Sequence, residues 1–234
     1  MEFEKLNAPS LRELFIQQLE HMILSGKLKV GEKLPPERQL AESMQVSRAV
    51  VNSGLADLER KGFLIIKPRV ATYVADYRRN GNLETLISIM NYNGGRMKED
   101  EIRSILEVRI ALDSLASQLC VKRITDEEIT LLHHKVDNIR LATSNEEASK
   151  AAFSFQHELA VLSGNTLIPL IFHSFQVPVL ALWEHFCSLY GTKLLYENTY
   201  RHWSYIQKRD GDGAALWIEK TVNETIFGRL KIYY

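Results

Sequence analysis

The 234-residue sequence contains only two cysteines, Cys120 and Cys187, which lie far apart and without a Cys-x-x-Cys spacing. This scarcity argues against a disulfide framework or a structural zinc site, so reduced core thiols are the better interpretation. The sequence also lacks an excess of either charge, because 29 basic residues balance 29 acidic ones. A net charge of zero argues against a uniformly basic nucleic-acid-binding surface, but it permits a local basic patch.

Long hydrophobic runs are absent as well. The longest apolar region, "TLIPLIFHSFQVPVLALWEHF" (166–186), is interrupted by His173, Ser174, Gln176 and Pro178. This pattern is typical of a buried helix in a soluble bundle rather than of a membrane span. The first residues, "MEFEKLNAPSLREL", lack the basic start and apolar run of a signal peptide. We therefore expect a cytoplasmic protein that has no membrane partner.

The first third of the chain has the pattern of three helices and a hairpin. Apolar residues recur at helical spacing over residues 10–26 and 47–61, and a second helix is expected to start near Pro36 between them. The β-branched segments "FLIIK" and "VATYVAD" then follow, separated by the turn residues Pro68 and Arg69. This order predicts a winged helix-turn-helix DNA-binding domain over residues 1–76.

The rest of the chain is helical in pattern. The polar segment "DYRRNGN" has no periodicity, so we expect a linker at 77–82. Residues 83–234 should form an all-α domain for effector binding and dimerisation, in which Pro178 kinks a helix. The predicted fold class is therefore mainly α, with a small β-hairpin in the head. The expected helices are 82–93, 99–121, 125–142, 145–163, 166–189, 192–208 and 213–231.

The third helix begins with an unusual pair, Ser47 and Arg48. A cation at a helix start opposes the macrodipole, which favours anions there. It is useful if the helix enters the major groove of DNA with its amino end first, because Arg48 can then form two hydrogen bonds with a guanine edge. Ser47 offers a cap hydroxyl and a phosphate donor. The alternative is that these residues are merely solvated surface.

Three further cations could reach the same duplex. Arg38, on the preceding helix, would reach the DNA backbone or a neighbouring base. Lys67 and Arg69, at the hairpin tip, would approach the flanking minor groove.

The segment "LPPERQLAESMQVSRAVVNSGLADLERKGFLIIKPRVATYV" (34–74) resembles the DNA-binding head of the GntR family of bacterial repressors. The framework "LP.ER.LAE...VSR..V...L..LE..G" carries this resemblance over about residues 10–75. It implies DNA contacts from Arg38, Ser47, Arg48 and the wing tip.

Three departures from the family pattern affect the prediction. Asn52 replaces an arginine one turn after Arg48, although an asparagine can still read an adenine edge. Gly54 lies inside the recognition helix, where glycine costs about 1 kcal/mol relative to alanine. The wing reads "PRVAT" (68–72), so both usual glycines are missing. The operator should therefore differ from the common one, and a decayed, non-binding head is the alternative.

Residues 82–231 resemble the helical effector domain of the FadR branch of that family. The segments "ILEVRIALDSLASQLCVKRIT" and "FQHELAVLSGNTLIPLI" carry this likeness, and Ser163-Gly164-Asn165 is its more specific part. The resemblance implies a ligand-responsive homodimer, a repressor that recognises a palindromic operator. The alternative is a regulator-derived protein-interaction or ligand-binding module. An enzyme is not expected, because no nucleophile constellation, phosphate loop or HExxH motif is present.

Many members of this branch hold a divalent metal with an Asp, a His four residues later and two further histidines. Alignment on Ser163-Gly164-Asn165 puts Ala152 and Gln156 at the first two ligand positions. His202 fits the third ligand, and the fourth falls at Asn223 or Glu224. One imidazole with an amide and at most one carboxylate is a poor divalent site, so we expect no metal cofactor.

The same positions can line a pocket for a small organic effector, a carboxylate or, by resemblance, an acyl-CoA. Arg109 is at the position of the branch's usual arginine, and its planar fork suits bidentate contacts with an anion. The alternative is that Arg109 only bridges helices through Glu107 or Asp113. The effector-binding candidates are Arg109, Gln156, His202 and Asn223.

Overall fold

The structure is a computed structural model that describes residues 9–92 and 99–232. The chain divides into two compact units, Met1–Tyr92 and Asn93–Tyr234. Within the described residues both units are mainly helical, and the first also contains a two-stranded antiparallel sheet. The predicted fold class is confirmed.

The first unit contains the helix-turn-helix and its hairpin. Its elements are α1 (Leu11–Leu24), α2 (Glu37–Met44), α3 (Arg48–Arg60), β1 (Leu64–Lys67), β2 (Ala71–Val74), α4 (Tyr77–Asn80) and α5 (Leu83–Asn91). Helices α1 and α3 pack through a core that includes Phe15, Leu55 and Leu58. The strands pair from Leu64 with Val74 to Lys67 with Ala71, which sets the hairpin against the end of α3.

The segment predicted as a linker, 77–82, is folded onto the head. Its first four residues form α4, and the Tyr77 ring lies 5.6 Å from the Phe63 ring, centroid to centroid. Asn82 caps α5 and donates from Nδ2 to the carbonyl of Arg60 at 2.8 Å. The polar composition of this segment suggested exposed chain. Instead, the Asn82 amide forms a hydrogen bond with a backbone carbonyl at the end of α3.

Helix α5 also belongs to the first unit rather than to the helical domain. The half-buried carboxylate of Glu20 accepts hydrogen bonds from Lys61 Nζ at 2.8 Å and from Ser88 Oγ at 2.9 Å. Thr85 Oγ1 donates to the carbonyl of Lys61. The boundary between compact units therefore follows Tyr92, later than the predicted 77–82.

The second unit is a helical bundle. Its elements are α6 (Glu99–Cys120), α7 (Asp126–Leu141), α8 (Asn145–Leu162), α9 (Ile168–Ser174), α10 (Gln176–Tyr190), α11 (Thr192–Gln207) and α12 (Gly211–Ile226). Helix α6 packs along α12, while α8 packs between α7 and α10. In the described part of the chain, no helix is both long enough and apolar enough to cross a membrane.

The helix predicted at 166–189 is in fact two helices that meet at Phe175. Pro178, the predicted kink, lies in the first turn of α10. A proline is tolerated there, because the first N–H groups of a helix have no intrahelical acceptor. The kink prediction was therefore wrong in position, because the chain breaks three residues before the proline.

Both cysteines are free and buried, as predicted. Burial raises the pKa of the Cys120 thiol to about 12 and that of Cys187 to about 11. Thiols with such pKa values remain protonated near neutral pH, so they act as core side chains rather than as nucleophiles or metal ligands.

Candidate functional site

The start of α3 is capped and turned toward solvent. Ser47 Oγ accepts a hydrogen bond from the Val50 N–H at 3.3 Å, which confirms the predicted cap. Ser47, Arg48 and Ala49 are all exposed. This end of the helix therefore presents first-turn N–H groups, a serine hydroxyl and the positive end of the helix dipole on one surface. Such an arrangement suits an anion such as a phosphate.

Arg48 is exposed, and no carboxylate among residues 9–92 and 99–232 forms an ion pair with it. Arg38 differs, because its Nε lies 2.8 Å from Glu42 Oε1. Both partners of that pair are largely exposed, and an exposed pair of this kind stabilises a helix by about 0.5 kcal/mol or less. Arg38 can therefore exchange Glu42 for another anion at little cost.

Asn52 is engaged inside the helix-turn-helix. With its amide turned so that donors meet acceptors, Nδ2 donates to Glu37 Oε2 at 2.7 Å and to the Arg48 carbonyl at 3.2 Å. The bond to Glu37 joins α3 to α2, whereas the bond to Arg48 lies within α3. Asn52 must therefore release Glu37 before its amide oxygen and nitrogen can both contact a base edge. The sequence pattern did not indicate this constraint.

The hairpin tip carries Lys67 and Arg69, and both are exposed. The Val70 N–H donates to the Lys67 carbonyl at 3.0 Å and closes the turn. Arg69 has a φ of 60°, in the left-handed region that favours glycine. The missing wing glycine is therefore replaced by an arginine in a strained conformation, which adds a cation at the tip.

The second unit contains an open pocket, and the empty space in and around it, including solvent at its mouth, is about 680 Å³. Helices α6, α8, α10, α11 and α12 line it, together with Ile232 from the segment after α12. Arg109, Gln156 and His202 line the pocket, but Asn223 does not. Helix α12 contributes Thr221 and Thr225 instead, two residues one turn apart that the sequence patterns did not single out.

Arg109 is both a pocket residue and an ion-pair partner. Its Nε donates to Asp113 Oδ2 at 3.0 Å, and its guanidinium carbon lies 4.6 Å from the centroid of the Trp183 ring. Asp113 is buried, which raises the pKa of its carboxyl to about 6, although Arg109 opposes this shift. In the described part of the chain the bond to Asp113 is made through Nε, so the two terminal nitrogens of Arg109 can bind an anion in the pocket.

His202 is held in one tautomer by a chain of hydrogen bonds. Ser117 Oγ donates to the Asp113 carbonyl at 2.7 Å, so its oxygen accepts from His202 Nε2 at 2.8 Å. Nδ1 is then an acceptor, and within the described residues it has no partner. The Gln156 Oε1 atom is likewise buried without a partner there. Burial, and then the charge of Arg109, lowers the pKa of His202 to about 3.

The residues at the family's metal positions do not fit a divalent ion. Ala152 is buried and has no donor atom, while Gln156 can offer only an amide oxygen. His202 supplies one imidazole nitrogen beside the positive charge of Arg109. In residues 9–92 and 99–232, no group of three His, Cys, Asp or Glu side chains could hold a metal. The pocket instead combines a cation, buried acceptors and apolar walls, as organic-ligand sites do.

A winged helix-turn-helix head joined to a helical domain with a pocket defines a class of protein, the DNA-binding transcription regulators that carry an effector domain. The profile described as "Bacterial regulatory proteins, gntR family" matches residues 11–74, and the profile of the FCD domain matches residues 104–222. The chain therefore belongs to the GntR family and carries an FCD effector-binding domain.

Relatives of known sequence agree with this assignment. The chain is 28% identical to the uncharacterized HTH-type transcriptional regulator YcbG of Bacillus subtilis, over 70% of this chain and 66% of that protein. It is 26% identical to the fatty acid metabolism regulator protein of Shewanella pealeana, over 73% of this chain and 70% of that protein. The alignment thus spans just under two thirds of YcbG.

A solved structure shows the same fold. Lar, which controls expression of the Listeria monocytogenes agr system, superposes with a TM-score of 0.63. The comparison covers 95% of this chain and 98% of that one, with 15% sequence identity. At this identity the likeness concerns the fold alone.

Proposed function

We propose that this protein is a homodimeric repressor that binds a palindromic operator and responds to a small organic effector in its helical domain. The observation that carries the proposal is the exposed start of α3. There Arg48 has no acidic partner in the described chain, and a capped helix end presents free N–H groups.

On the DNA, the amino end of α3 would enter the major groove. Arg48 would bind a guanine edge, a contact that discriminates between bases by about 1–3 kcal/mol. Ser47 and the first-turn N–H groups would bind a phosphate and fix the register. Arg38 would leave Glu42 for the backbone, while Lys67 and Arg69 would follow the flanking groove from the hairpin tip.

In the pocket, the terminal nitrogens of Arg109 would bind a carboxylate. His202 Nδ1 and Gln156 Oε1 have no partner among the described residues, which favours a ligand that also carries a hydroxyl or N–H donor. The apolar walls, which include Trp183, accommodate a hydrocarbon portion. The name of one relative, a fatty acid metabolism regulator, supports an acyl ligand. No metal is needed for this recognition.

The effector would act by favouring one separation of the two heads over another. Such coupling typically amounts to about 1–3 kcal/mol, or a 5- to 150-fold change in DNA affinity. The two half-sites of the operator would lie about one helical turn of DNA, or a multiple of it, apart.

Footprinting on the DNA upstream of the protein's own gene tests this proposal. We expect protection with two-fold symmetry, a dimer in sedimentation analysis, and repression of a reporter that carries the protected sequence. Carboxylates that raise the thermal unfolding temperature should also release the DNA. Absence of salt-dependent duplex binding would favour the alternative, an interaction module with a decayed head.

A further inference from the structure

The chain beyond α12 turns back along that helix. The Leu230 N–H donates to the Glu224 carbonyl at 3.2 Å, and the Arg229 N–H donates to Glu224 Oε2 at 3.1 Å. A Cβ on Gly228 would lie 2.7 Å from the Glu224 Cα, so only glycine permits this close return. The segment from Phe227 to Ile232, which we term the C-terminal strap, is thus bonded to Glu224 of α12.

The far end of the C-terminal strap is fastened to α10. Tyr190 Oη donates to the Lys231 carbonyl at 2.7 Å. This bond brings Ile232, only 3% exposed, into the pocket wall. The Tyr190 ring also packs on Phe186, another pocket residue, with 5.1 Å between ring centroids. A segment outside the helices therefore supplies part of the pocket wall.

The first residue of the C-terminal strap lies beside α6. This residue, Phe227, contacts Arg103 near the start of α6, with 5.9 Å between the guanidinium carbon and the ring centroid. Ile105 lines the pocket one half-turn further along α6, and Arg109 follows one turn after that. Arg109 and Ile232 line the same pocket, so a ligand whose anionic group binds Arg109 would have its hydrocarbon portion in a cavity that Ile232 helps to close.

We propose that Ile232 limits the length of the ligand that the pocket accepts, and that Tyr190 is the positioning residue that holds Ile232 in place. The ligand class, a carboxylate with an apolar chain, rests on the proposed function. The contacts that place Ile232 in the pocket wall do not depend on the proposed function.

Acrylamide quenching of tryptophan fluorescence tests the wall without any ligand. Trp183 lines the pocket and is only 6% exposed. In the full-length protein, Tyr190→Phe and Ile232→Ala should each increase quenching. Trp217 also lines the pocket, so the increase should shrink when Trp183 is replaced by Phe and vanish when both tryptophans are replaced. Tyr196→Phe is the control, because Tyr196 lies outside the pocket lining. Quenching that matches this control in both variants would overturn the proposal.

Calorimetric titration with straight-chain carboxylates from butanoate to dodecanoate tests the length limit. In the parent protein we expect affinity to rise about fourfold for each added methylene, then to fall at one length. In Ile232→Ala the drop in affinity should occur at a longer chain length. In Tyr190→Phe the drop should be smaller, and affinity for the shortest chains should be unchanged. An identical limit in parent and Ile232→Ala proteins would contradict the assignment of Ile232.

The two experiments fail in different ways. If the parent protein binds none of the carboxylates, the ligand class in the proposed function is wrong, and the quenching result still decides whether the C-terminal strap closes the pocket. If the carboxylates bind but neither variant differs from the Tyr196→Phe control in quenching, the proposed function survives and the assignment of Ile232 and Tyr190 is wrong.

Discussion

The ring of Phe15 in α1 lies directly against the bare α-carbon of Gly54 in α3. A Cβ at Gly54 would stand 2.3 Å from Phe15 Cδ1 and 2.7 Å from Cε1. Phe15 is 1% exposed and is fixed in the core of the head, so the ring cannot easily move aside. The glycine that weakens the recognition helix locally therefore allows α1 and α3 to pack closely.

Gly54→Ala should destabilise the head. Alanine favours a helix by about 1 kcal/mol over glycine, but the clash with Phe15 should outweigh this gain by about 1–3 kcal/mol. Hydrogen exchange of the α1 and α3 amides in the full-length protein should accelerate accordingly. The reverse change at an exposed site of the same helix, Ala49→Gly, should cost only the propensity difference. Slower exchange in Gly54→Ala would show that α1 is not held this closely.

Arg69→Gly should stabilise the hairpin and weaken DNA binding at once. Relief of the positive φ should be worth about 1 kcal/mol, because the left-handed conformation is costly for residues with a Cβ. Loss of one phosphate contact should reduce the slope of log affinity against log salt by about one. Val70→Gly is the matched control, since Val70 has no positive φ and no charge. An unchanged salt slope would place the hairpin tip away from the duplex.

His202 should give the helical domain a specific dependence on pH. Its folded pKa of about 3 lies below the ordinary value of 6.5, so its contribution to stability is complete above pH 6.5 and is lost as the pH falls toward 3. Between pH 7 and 5 this loss is about 2 kcal/mol. Asp113 opposes it, because a carboxyl with a raised pKa of about 6 loses stability as the pH rises through that value.

The contribution of His202 is therefore measured as a difference between proteins. Urea unfolding followed by tryptophan fluorescence reports on the second unit, because all three tryptophans belong to it. Acidification from pH 7 to 5 should lower the stability of the parent relative to His202→Gln by about 2 kcal/mol. A constant difference between the two proteins would mean that His202 is not buried in its neutral form.

The unit boundary can be tested with fragments. A fragment that ends at Tyr92 should be more stable than one that ends at Asp76, because the shorter one loses the bonds of Asn82, Thr85 and Ser88. Each such bond contributes about 1 kcal/mol. Ser88→Ala in the longer fragment should remove part of the difference. Equal unfolding free energies for the two fragments would show that residues 77–92 do not stabilise the head, as expected if 77–82 is a linker.

The sequence predicted what local patterns encode and missed what tertiary contacts decide. Ser47 and the periodic apolar residues of α3 predicted a capped, amphipathic helix correctly. The polarity of 77–82 was misleading, because the Asn82 side chain forms its hydrogen bond with the end of α3 rather than with water. The packing role of Gly54 also depends on Phe15, which lies 39 residues earlier in the chain.

The pocket was predictable only in part. Alignment placed Arg109, Gln156 and His202 on its lining, but it chose Asn223 on α12, where the helix instead turns Thr221 and Thr225 inward. The alignment fixed the fourth ligand position only to within one or two residues. Each residue along a helix turns the side chain by 100°, so spacing alone cannot show which side chain of α12 faces the pocket. The hydrogen-bond chain from Asp113 through Ser117 to His202 joins two helices and leaves no pattern in the sequence.

The account depends most on Arg48 meeting a duplex, and equilibrium binding to the footprinted operator across a salt series measures this directly. Arg48→Ala should reduce operator affinity toward that for unrelated DNA of the same length, with unchanged thermal unfolding. Lys193→Ala, an exposed cation in the other unit, should have no effect. If the Arg48→Ala protein binds operator as tightly and as selectively as the parent, the start of α3 does not read the DNA.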